Sequence, residues 1–241
     1  MYSGWMIGTA ILIMGLVAVC VIQWVQNQKL KEKNREMEEQ LRETDMSIML
    51  SQIQPHFLYN SLSAIRELCL EDPEEAPRAL EEFSAFLRGN MDSLRSKVPV
   101  PFSRELEHVK HYLHLEQIRF GNDLRVEYDI REEDFFLPTL TIQPIVENAV
   151  KYGVGNKEEG GTVRISTCRE GEKIVITVED DGIGFDVDEI EHIPVQKDGR
   201  THIGLSNVKY RLKKMVNGTM TIHSRRETGT IVRITLDAEH R

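Results

Sequence analysis

The feature that most constrains this chain is a proline followed at once by a histidine inside a helical pattern. Pro55 and His56 are surrounded by apolar residues at helical spacing, which are Ile53, Phe57, Leu58, Leu62 and Ile65. Proline removes a backbone donor and clashes with the preceding turn, so a kink is predicted just before His56. Asn60 follows one turn later on the same face. A histidine beside an amide is either a reactive group or an ordinary packed core residue.

The N-terminal segment lacks charge from Met1 to Gln28, and its apolar core from Met6 to Val25 has about the length that crosses a bilayer. Trp5 and Trp24 bracket this core at roughly interfacial spacing. The positive charges that follow at once are Lys29, Lys31, Lys33 and Arg35. We therefore expect a single-pass anchor over residues 1–28, in the cell membrane, with the C-terminal bulk in the cytoplasm. A cleaved signal peptide and a buried core helix are the alternatives.

The next segment, residues 29–45, is polar and free of Gly and Pro. Spacings of four and three alternate along Leu30, Asn34, Met37, Leu41, Thr44 and Ile48. This seam predicts a parallel coiled-coil linker, in which Asn34 would fix the register of a homodimer. A lone solvated helix is the alternative.

Residues 46–98 show the pattern of a helical hairpin. One helix is predicted from Met46 to about Leu70, and the acidic, two-proline stretch Glu71–Pro77 then predicts a turn. A second helix follows from about Pro77 to Leu94, before the linker Lys97–Pro101. Two such helices bury little surface alone, so we expect a four-helix bundle across a dimer.

Residues 99–241 mix helical and strand patterns, starting with a helix from Ser103 as its N-cap to about Arg119. That helix carries His108, His111 and His114, for which a mixed surface and core face is favoured over a metal site. The chain's three cysteines are scattered and support neither a disulfide framework nor a zinc site.

The remaining pattern alternates strands and helices. Strands are predicted over 124–130, 162–168, 173–178, 219–224 and 230–236, with helices within 139–152 and over 202–216. Gly153 ends the first of these helices, and the polar stretch 186–201 is typical of a lid. Antiparallel strands with interspersed helices give an α+β fold, here an α/β sandwich.

Polar residues cluster at three points of this domain. Glu147, Asn148 and Lys151 fall on one side of a helix and would suit a magnesium–phosphate group. Asp180 precedes Gly182 and Gly184 at a strand end, where an acid could accept from a flat ligand that the glycines let approach. Gly204, near a helix N-terminus, offers N–H groups to phosphates. Ordinary helix polarity and a bare turn are the alternatives.

These motifs in this order resemble the LytS/YesM-type sensor histidine kinases. The resemblance covers Met46 to Leu236 and rests on Gln54-Pro55-His56-Phe57-Leu58-Tyr59-Asn60, Glu147-Asn148-Ala149-Val150-Lys151, Asp180-x-Gly182-x-Gly184 and Gly204-Leu205-x-Asn207. It implies the ATPase fold that histidine kinases share with type II topoisomerases and the MutL repair proteins. His56 would then be the phosphoacceptor, and Asn60 would position water for the reverse, phosphatase reaction.

The resemblance also implies a site for ATP and Mg²⁺. Asn148 would bind Mg²⁺ with Glu147 beside it, and Lys151 would reach a phosphate. Asp180 would accept from the adenine amino group, with Gly182 and Gly184 allowing close approach. The phosphates would be flanked by Gly204, Leu205 and Asn207, and the adenine pocket bordered by Gly229 and Thr230.

Three positions depart from the family pattern. His202 stands where this fold often has a glycine, Tyr152 where a histidine is common, and Glu227 where another glycine would fit. None of them removes a residue assigned to magnesium or adenine, so the nucleotide site is expected to be intact.

The resemblance implies a membrane-anchored kinase of a two-component system, which phosphorylates His56 from ATP and passes the group to an aspartate of a cytoplasmic response regulator. The signal would come from the bilayer, the span or a membrane partner. The net charge of −9 argues against nucleic acid as a partner. The alternatives are a non-catalytic, degenerate ATP-binding membrane scaffold and an ATP-hydrolysing clamp.

Overall fold

The computed structural model describes residues 55–96, 98–186 and 200–238, together with the isolated helical positions Trp24, Gln28 and Lys31. Pro55–Arg241 form one compact unit, and Met1–Gln54 are assigned to another. The predicted anchor, coiled coil, kink before His56 and most of the lid lie outside the described residues. Within the described part, no helix is long and apolar enough to cross a bilayer.

The helical hairpin is present. Its helices are α1, Pro55–Glu71, and α2, Ala76–Arg95, joined by a short acidic turn. Asp72 accepts a hydrogen bond from the Glu75 N–H at 3.3 Å, and Pro77 occupies the first turn of α2, where a missing N–H costs nothing. The predicted boundary between the two helices is confirmed because proline and acidic residues stop and restart a helix at defined positions.

The hairpin buries one face and exposes the other. The buried side chains are Phe57, Ile65, Ala79, Phe83 and Phe86. The exposed apolar ones are Tyr59, Leu62, Leu70, Leu80 and Met91. The buried face packs on α3, Phe102–Phe120, the first helix after the hairpin.

The start of α3 differs from the prediction. Pro101, and not Ser103, occupies the cap position, and Ser103 lies inside the helix. The reason is a two-stranded ladder in which β1, Val100–Pro101, pairs antiparallel with β3, Phe136–Leu137. This ladder, which the sequence did not predict, holds the chain extended up to Pro101.

A five-stranded sheet forms the second layer. Its strands are β2, Leu124–Ile130; β4, Gly161–Glu170; β5, Lys173–Asp180; β6, Thr219–Arg225; and β7, Gly229–Asp237. Their order is β2-β4-β5-β7-β6. The expectation of antiparallel strands is wrong at one edge, because β2 and β4 run parallel. The long crossover between them, which holds β3 and a helix, is what a parallel pair requires.

Helices cover one face of this sheet. They are α3, α4 (Gln143–Asn148) and α5 (Arg200–Val216). The strand residues that alternate inward, such as Val163, Ile165 and Ile176, are buried. The fold is therefore the α+β sandwich that the pattern predicted, joined to a helical hairpin.

The helix predicted within 139–152 is shorter than expected. It starts only at Gln143 because Leu140 has a φ of 55°, a left-handed conformation that interrupts a helix. After Asn148 the chain widens into a π-helical turn, Ala149–Gly153. Such turns are rare and occur often at functional sites.

Candidate phosphoacceptor and nucleotide site

His56 lies on the exposed surface of α1. The Asn60 Nδ2 group donates to His56 Nδ1 at 3.1 Å, so the predicted shared face is present. The ring is open to solvent and is oriented by one amide. A small group could therefore reach the imidazole without opening the hairpin.

The neighbour of His56 anchors α1 to the rest of the unit. Phe57 is buried, and its ring lies 4.8 Å from Phe86 on α2 and 5.2 Å from Tyr112 on α3. Aromatic packing of this kind contributes roughly 1 kcal/mol per pair beyond burial. It fixes the helix that carries His56 against the first helix of the sandwich.

A cavity of about 280 Å³ opens between the sheet and its helices. Five of the predicted site residues line it, which are Asn148, Asp180, Gly184, Leu205 and Thr230. The other lining residues are mainly apolar: Ile145, Ala149, Tyr152, Gly153, Asn156, Val178, Ile183, Phe185, Ile222 and Val232. An apolar slot with a few polar groups suits a flat heterocycle.

Asp180 ends β5 and is buried beside this cavity. Burial, and to a smaller extent the charges of Asp181 and Glu179, raise the pKa of its carboxyl to about 6. Hydrogen bonds from the N–H groups of Gly182 and Thr230 oppose that shift. The Gly182 N–H donates to Asp180 Oδ1 at 3.1 Å, and Asp180 lines the cavity.

Glycines around Asp180 are required by close approach. A Cβ at Gly153 would overlap the Asp180 carboxylate, and one at Gly182 would overlap the backbone of Gly153. A Cβ at Gly229 would overlap the carbonyl of Asp180, and Gly229 also has a φ of 96°. These glycines bring three chain segments together behind the carboxylate.

Glu227 explains one departure from the family pattern. Its φ is 64°, a conformation that favours glycine, and its N–H donates to the carbonyl of Ile183 at 2.7 Å. A glycine would fit there without strain, as the pattern predicted. Glu227 adopts the same conformation and keeps the β6–β7 turn against the Asp180 loop.

The structure divides the predicted magnesium–phosphate group. Asn148 lines the cavity, but among the described residues Glu147 and Lys151 do not. Gln143 Nε2 donates to Glu147 Oε1 at 2.7 Å, and the Lys151 ammonium lies 4.8 Å from the centre of the Tyr152 ring. The π-helical turn separates Lys151 from the side it would share with Asn148 in a regular helix.

The remaining predicted residues lie around the cavity without lining it. Gly182 and Gly229 support the Asp180 loop from behind. Asn207 is an exposed residue of α5, and Gly204 lies within the same helix.

The three histidines of α3 have different surroundings. His108 is buried, and its ring stacks on Phe86 at 5.2 Å. His111 pairs with Glu82 of α2, and His114 lies 3.7 Å from Glu75 and 3.8 Å from Glu82. Glu82 comes from α2 and Glu75 from the turn before it, so the sequence could not place them here. Among the residues with described positions, no set of three such side chains has the geometry to hold one metal ion.

Two charged residues, the buried Glu105 and the half-buried Arg211, were missed as site residues. Neither was assigned a role from the sequence. Both contact the loop before α4. The only signal was the presence of a charged residue at an otherwise apolar helix position, which does not identify its partner.

The fold and the cavity together define a nucleotide-binding α+β domain attached to a helical hairpin with an exposed histidine. Comparison with known proteins agrees. Residues 44–124 match the histidine kinase family, and residues 136–240 match the family of histidine kinase-, DNA gyrase B- and HSP90-like ATPases.

Three curated relatives extend this match. YwpD of Bacillus subtilis is 38% identical over 190 residues, which are 78% of this chain and 68% of that protein. Sensor histidine kinase YesM of B. subtilis is 31% identical, covering 86% of this chain and 36% of the relative. Sensor protein LytS of Enterococcus faecalis is 35% identical, covering 60% of this chain and 25% of that protein. The chain therefore belongs to the sensor histidine kinases of the LytS/YesM type, and it spans only about a third or less of the two named sensors.

Proposed function

We propose that the chain is the kinase part of a two-component sensor, which transfers the γ-phosphoryl group of ATP to His56. The observation that carries this proposal is the presence, in one compact unit, of an exposed imidazole and a buried carboxylate at an apolar slot. An ATPase clamp does not require an exposed histidine on a helical hairpin. A purely structural hairpin does not require a buried carboxylate at an apolar slot.

The lining residues fit an adenine nucleotide. Asp180 would accept from the adenine amino group, and Gly182, Gly184, Gly229 and Thr230 would let the ring approach closely. Asp180 must be ionised to act only as an acceptor, so its raised pKa makes nucleotide binding weaker below about pH 6. Leu205, Gly204 and Asn207 of α5 would border the phosphates.

The donors near the phosphates fit Mg²⁺ as well. The Asn148 amide lines the cavity and offers the kind of oxygen that Mg²⁺ accepts. Glu147 would support it from the neighbouring position, and Lys151 would reach a phosphate by leaving the Tyr152 ring. Bound Mg²⁺ would neutralise charge on the phosphate oxygens.

The chemistry at His56 is nucleophilic. A ring nitrogen of neutral imidazole attacks the γ-phosphorus, the bond to the bridging oxygen breaks, ADP leaves and the ring loses a proton. The residue after His56 is Phe57, which is buried and cannot act as a base. Asn60, within hydrogen-bond distance of the ring, would orient it and would hold water for the reverse reaction.

The group would then pass to an aspartate of a cytoplasmic response regulator. We propose a homodimer in which residues 46–98 form a four-helix bundle, with residues 99–241 as the catalytic domain. Residues 1–28 would anchor the chain in the cell membrane, residues 29–45 would link it to the bundle, and a membrane partner or the bilayer would supply the signal. Retention of the full chain in membranes after alkaline carbonate washing tests the anchor.

One assay tests the kinase proposal against the two alternatives. The full chain in detergent micelles is incubated with γ-labelled ATP and Mg²⁺. Acid-labile, alkali-stable label that His56→Gln abolishes supports the proposal. Free phosphate without protein label favours the clamp, and lack of nucleotide binding favours the scaffold. In the same system, Asn60→Ala should slow dephosphorylation of a phosphorylated regulator, and an unchanged rate would remove the phosphatase role of Asn60.

A further inference from the structure

The loop that leads into α4 is held from both sides by charged side chains, the buried Glu105 and the half-buried Arg211. Residues 138–142, here called the capped loop, precede the helix that carries Asn148. Glu105 of α3 accepts hydrogen bonds from the N–H groups of Leu140, Thr141 and Ile142, at 2.7, 3.0 and 3.3 Å. Only 2% of Glu105 is exposed.

A carboxylate in such a place is costly unless it is fully bonded. Burial raises the pKa of Glu105, and the N–H groups of the capped loop together with the charge of Arg211 oppose that shift. Arg211 of α5 completes the arrangement, because its Nη2 donates to the Leu140 carbonyl at 2.8 Å. Residue 140 is therefore bonded to α3 through its N–H and to α5 through its carbonyl.

The conformation that these contacts impose is strained. Leu140 has a φ of 55°, a left-handed conformation that is unfavourable for a residue with a side chain. A strained residue persists only where its surroundings hold it. Without Glu105 three N–H groups of the capped loop lose their acceptor, and the contacts that remain include Arg211 on the Leu140 carbonyl and the hydroxyl bonds of Thr139 and Thr141.

The position of the capped loop decides the position of Asn148. Helix α4 is six residues long, so its two ends are roughly 8 Å apart and it moves as one rigid piece. A change in the direction of the loop is therefore carried to the amide that lines the cavity. Asp180 lies on β5, on the opposite wall, and contacts neither Glu105 nor Arg211 in the described structure.

We propose that Glu105 is a positioning residue that sets Asn148 for the magnesium-bound phosphates, with Arg211 holding the same loop from α5. This inference rests on the proposed role of Asn148 as the Mg²⁺ ligand. It predicts that Glu105 controls the magnesium-dependent part of nucleotide affinity and leaves the adenine-dependent part intact. If Glu105 only stabilised the fold, its replacement would change neither part of the nucleotide affinity in protein that remains folded.

The test measures ADP affinity by calorimetry with Mg²⁺ and with EDTA, on the full chain in detergent micelles. In Glu105→Gln the affinity in EDTA should stay within about twofold of wild type. The increase in ADP affinity that Mg²⁺ produces should be about tenfold smaller than in wild type. Residues that orient a metal ligand typically contribute at least that factor to metal affinity. Glu107→Gln, which removes an exposed carboxylate from the same helix, is the matched control and should behave as wild type.

A second variant and two contrary outcomes complete the test. Arg211→Lys keeps the charge but loses the planar donor, so it should reduce the magnesium gain in the same direction, and it serves if Glu105→Gln does not fold. A full magnesium gain in both variants would overturn the inference while leaving the proposed function intact. Wild-type protein that binds ADP equally with and without Mg²⁺ would instead remove the role of Asn148, and this inference with it.

Discussion

Two buried polar clusters lie within the same unit, and they are bonded very differently. In the first, Glu105 accepts from three N–H groups of the capped loop, and only Nε of Arg211 is left without a partner. The second, here called the amide–histidine cluster, consists of Asn90, His108 and Gln143 where the hairpin meets the sandwich. Four of its buried polar atoms have no hydrogen-bond partner in the described protein: Asn90 Nδ2, both ring nitrogens of His108, and Gln143 Oε1.

This difference in hydrogen bonding indicates which of the two contacts opens more easily. A buried donor or acceptor without a partner costs about 1–3 kcal/mol, and that cost is recovered when water reaches it. The amide–histidine cluster is held by a single direct bond, from Gln143 Nε2 to Asn90 Oδ1 at 3.3 Å. The hairpin should therefore separate from α3 more easily than the capped loop releases α4. In the proposed phosphoryl transfer, the contact between the hairpin and α3 is therefore the one expected to open.

The largest effect is expected where the bonded cluster is broken. Glu105→Ala leaves three N–H groups and the Arg211 charge without their partner, which should lower the free energy of unfolding by about 3–5 kcal/mol. Denaturant titration measures it, and Glu107→Ala should change stability by less than about 0.5 kcal/mol. A loss for Glu105→Ala as small as that of the control would contradict the account of the capped loop.

The next effect is a dependence on pH that comes from the second cluster. Burial, and to a smaller extent the charges of His111 and Arg104, lower the pKa of His108 from 6.5 to about 4. The side chain of Gln143 opposes this shift, although its geometry falls short of a hydrogen bond. The unfolded chain therefore binds the proton more readily than the folded one between these two values.

Stability from His108 is present above pH 6.5 and is lost as the pH falls towards 4, by about 3 kcal/mol in total. Glu116 acts in the opposite direction, because burial raises its pKa to about 7 and its contribution is lost as the pH rises from 4.5. The difference in unfolding free energy between wild type and His108→Leu, measured across this pH range, isolates the contribution of His108. Parallel stability curves for the two proteins would show that His108 does not titrate with folding.

A smaller effect is expected from Gly89, which lies on α2 under the His108 ring. A Cβ at this position would overlap His108 Nδ1, so alanine must displace the ring or the helix, at about 1–3 kcal/mol. Alanine also favours the helix itself by about 1 kcal/mol. Gly89→Ala should therefore cost the docked state about 1 kcal/mol while it stabilises the separated hairpin.

Hydrogen exchange shows whether Gly89→Ala weakens the docking of the hairpin alone. Amides of α2 and of the facing side of α3 should exchange faster in Gly89→Ala, while those of β4 and β5 should not change. Ser84→Ala, at an exposed position of the same helix, is the control. Uniformly faster exchange across the sheet would mean that the variant loosens the whole unit and not the hairpin contact.

The smallest effect should follow from replacing a poorly bonded amide. Asn90→Leu removes one atom that lacks a partner and one hydrogen bond of 3.3 Å, and Gln143 Nε2 keeps its bond to Glu147. The net change in unfolding free energy should stay below about 1 kcal/mol. Thermal denaturation measures it. A loss comparable to that of Glu105→Ala would remove the distinction between the two clusters.

Local signals explain which parts of this molecule the sequence could predict. The hairpin boundaries follow from Pro73 and Pro77, and the shared face of His56 and Asn60 follows from their spacing. Asp180 and its glycines form a motif within a few residues of one another. All of these depend on neighbours in sequence, where propensity and periodicity are informative.

The features that were missed depend on distant partners. Glu105 meets residues about 35 positions later, and its partner Leu140 has a left-handed backbone that no propensity predicts for leucine. The parallel pairing of β2 with β4 and the β1–β3 ladder are likewise contacts across long loops. Glu75 and Glu82 reach His111 and His114 only because α2 packs on α3.

The nucleotide held beside Asp180 is proposed to give its last phosphate to His56. The most direct test is tandem mass spectrometry of the full chain after one turnover with Mg²⁺ and ATP, under alkaline conditions that preserve phosphohistidine. A single phosphoryl group on His56 is expected, and much less of it in Asp180→Asn protein, which lacks the proposed carboxylate acceptor for the adenine amino group. A phosphoryl group on His108, His111 or His114, or none while ADP accumulates, would contradict it.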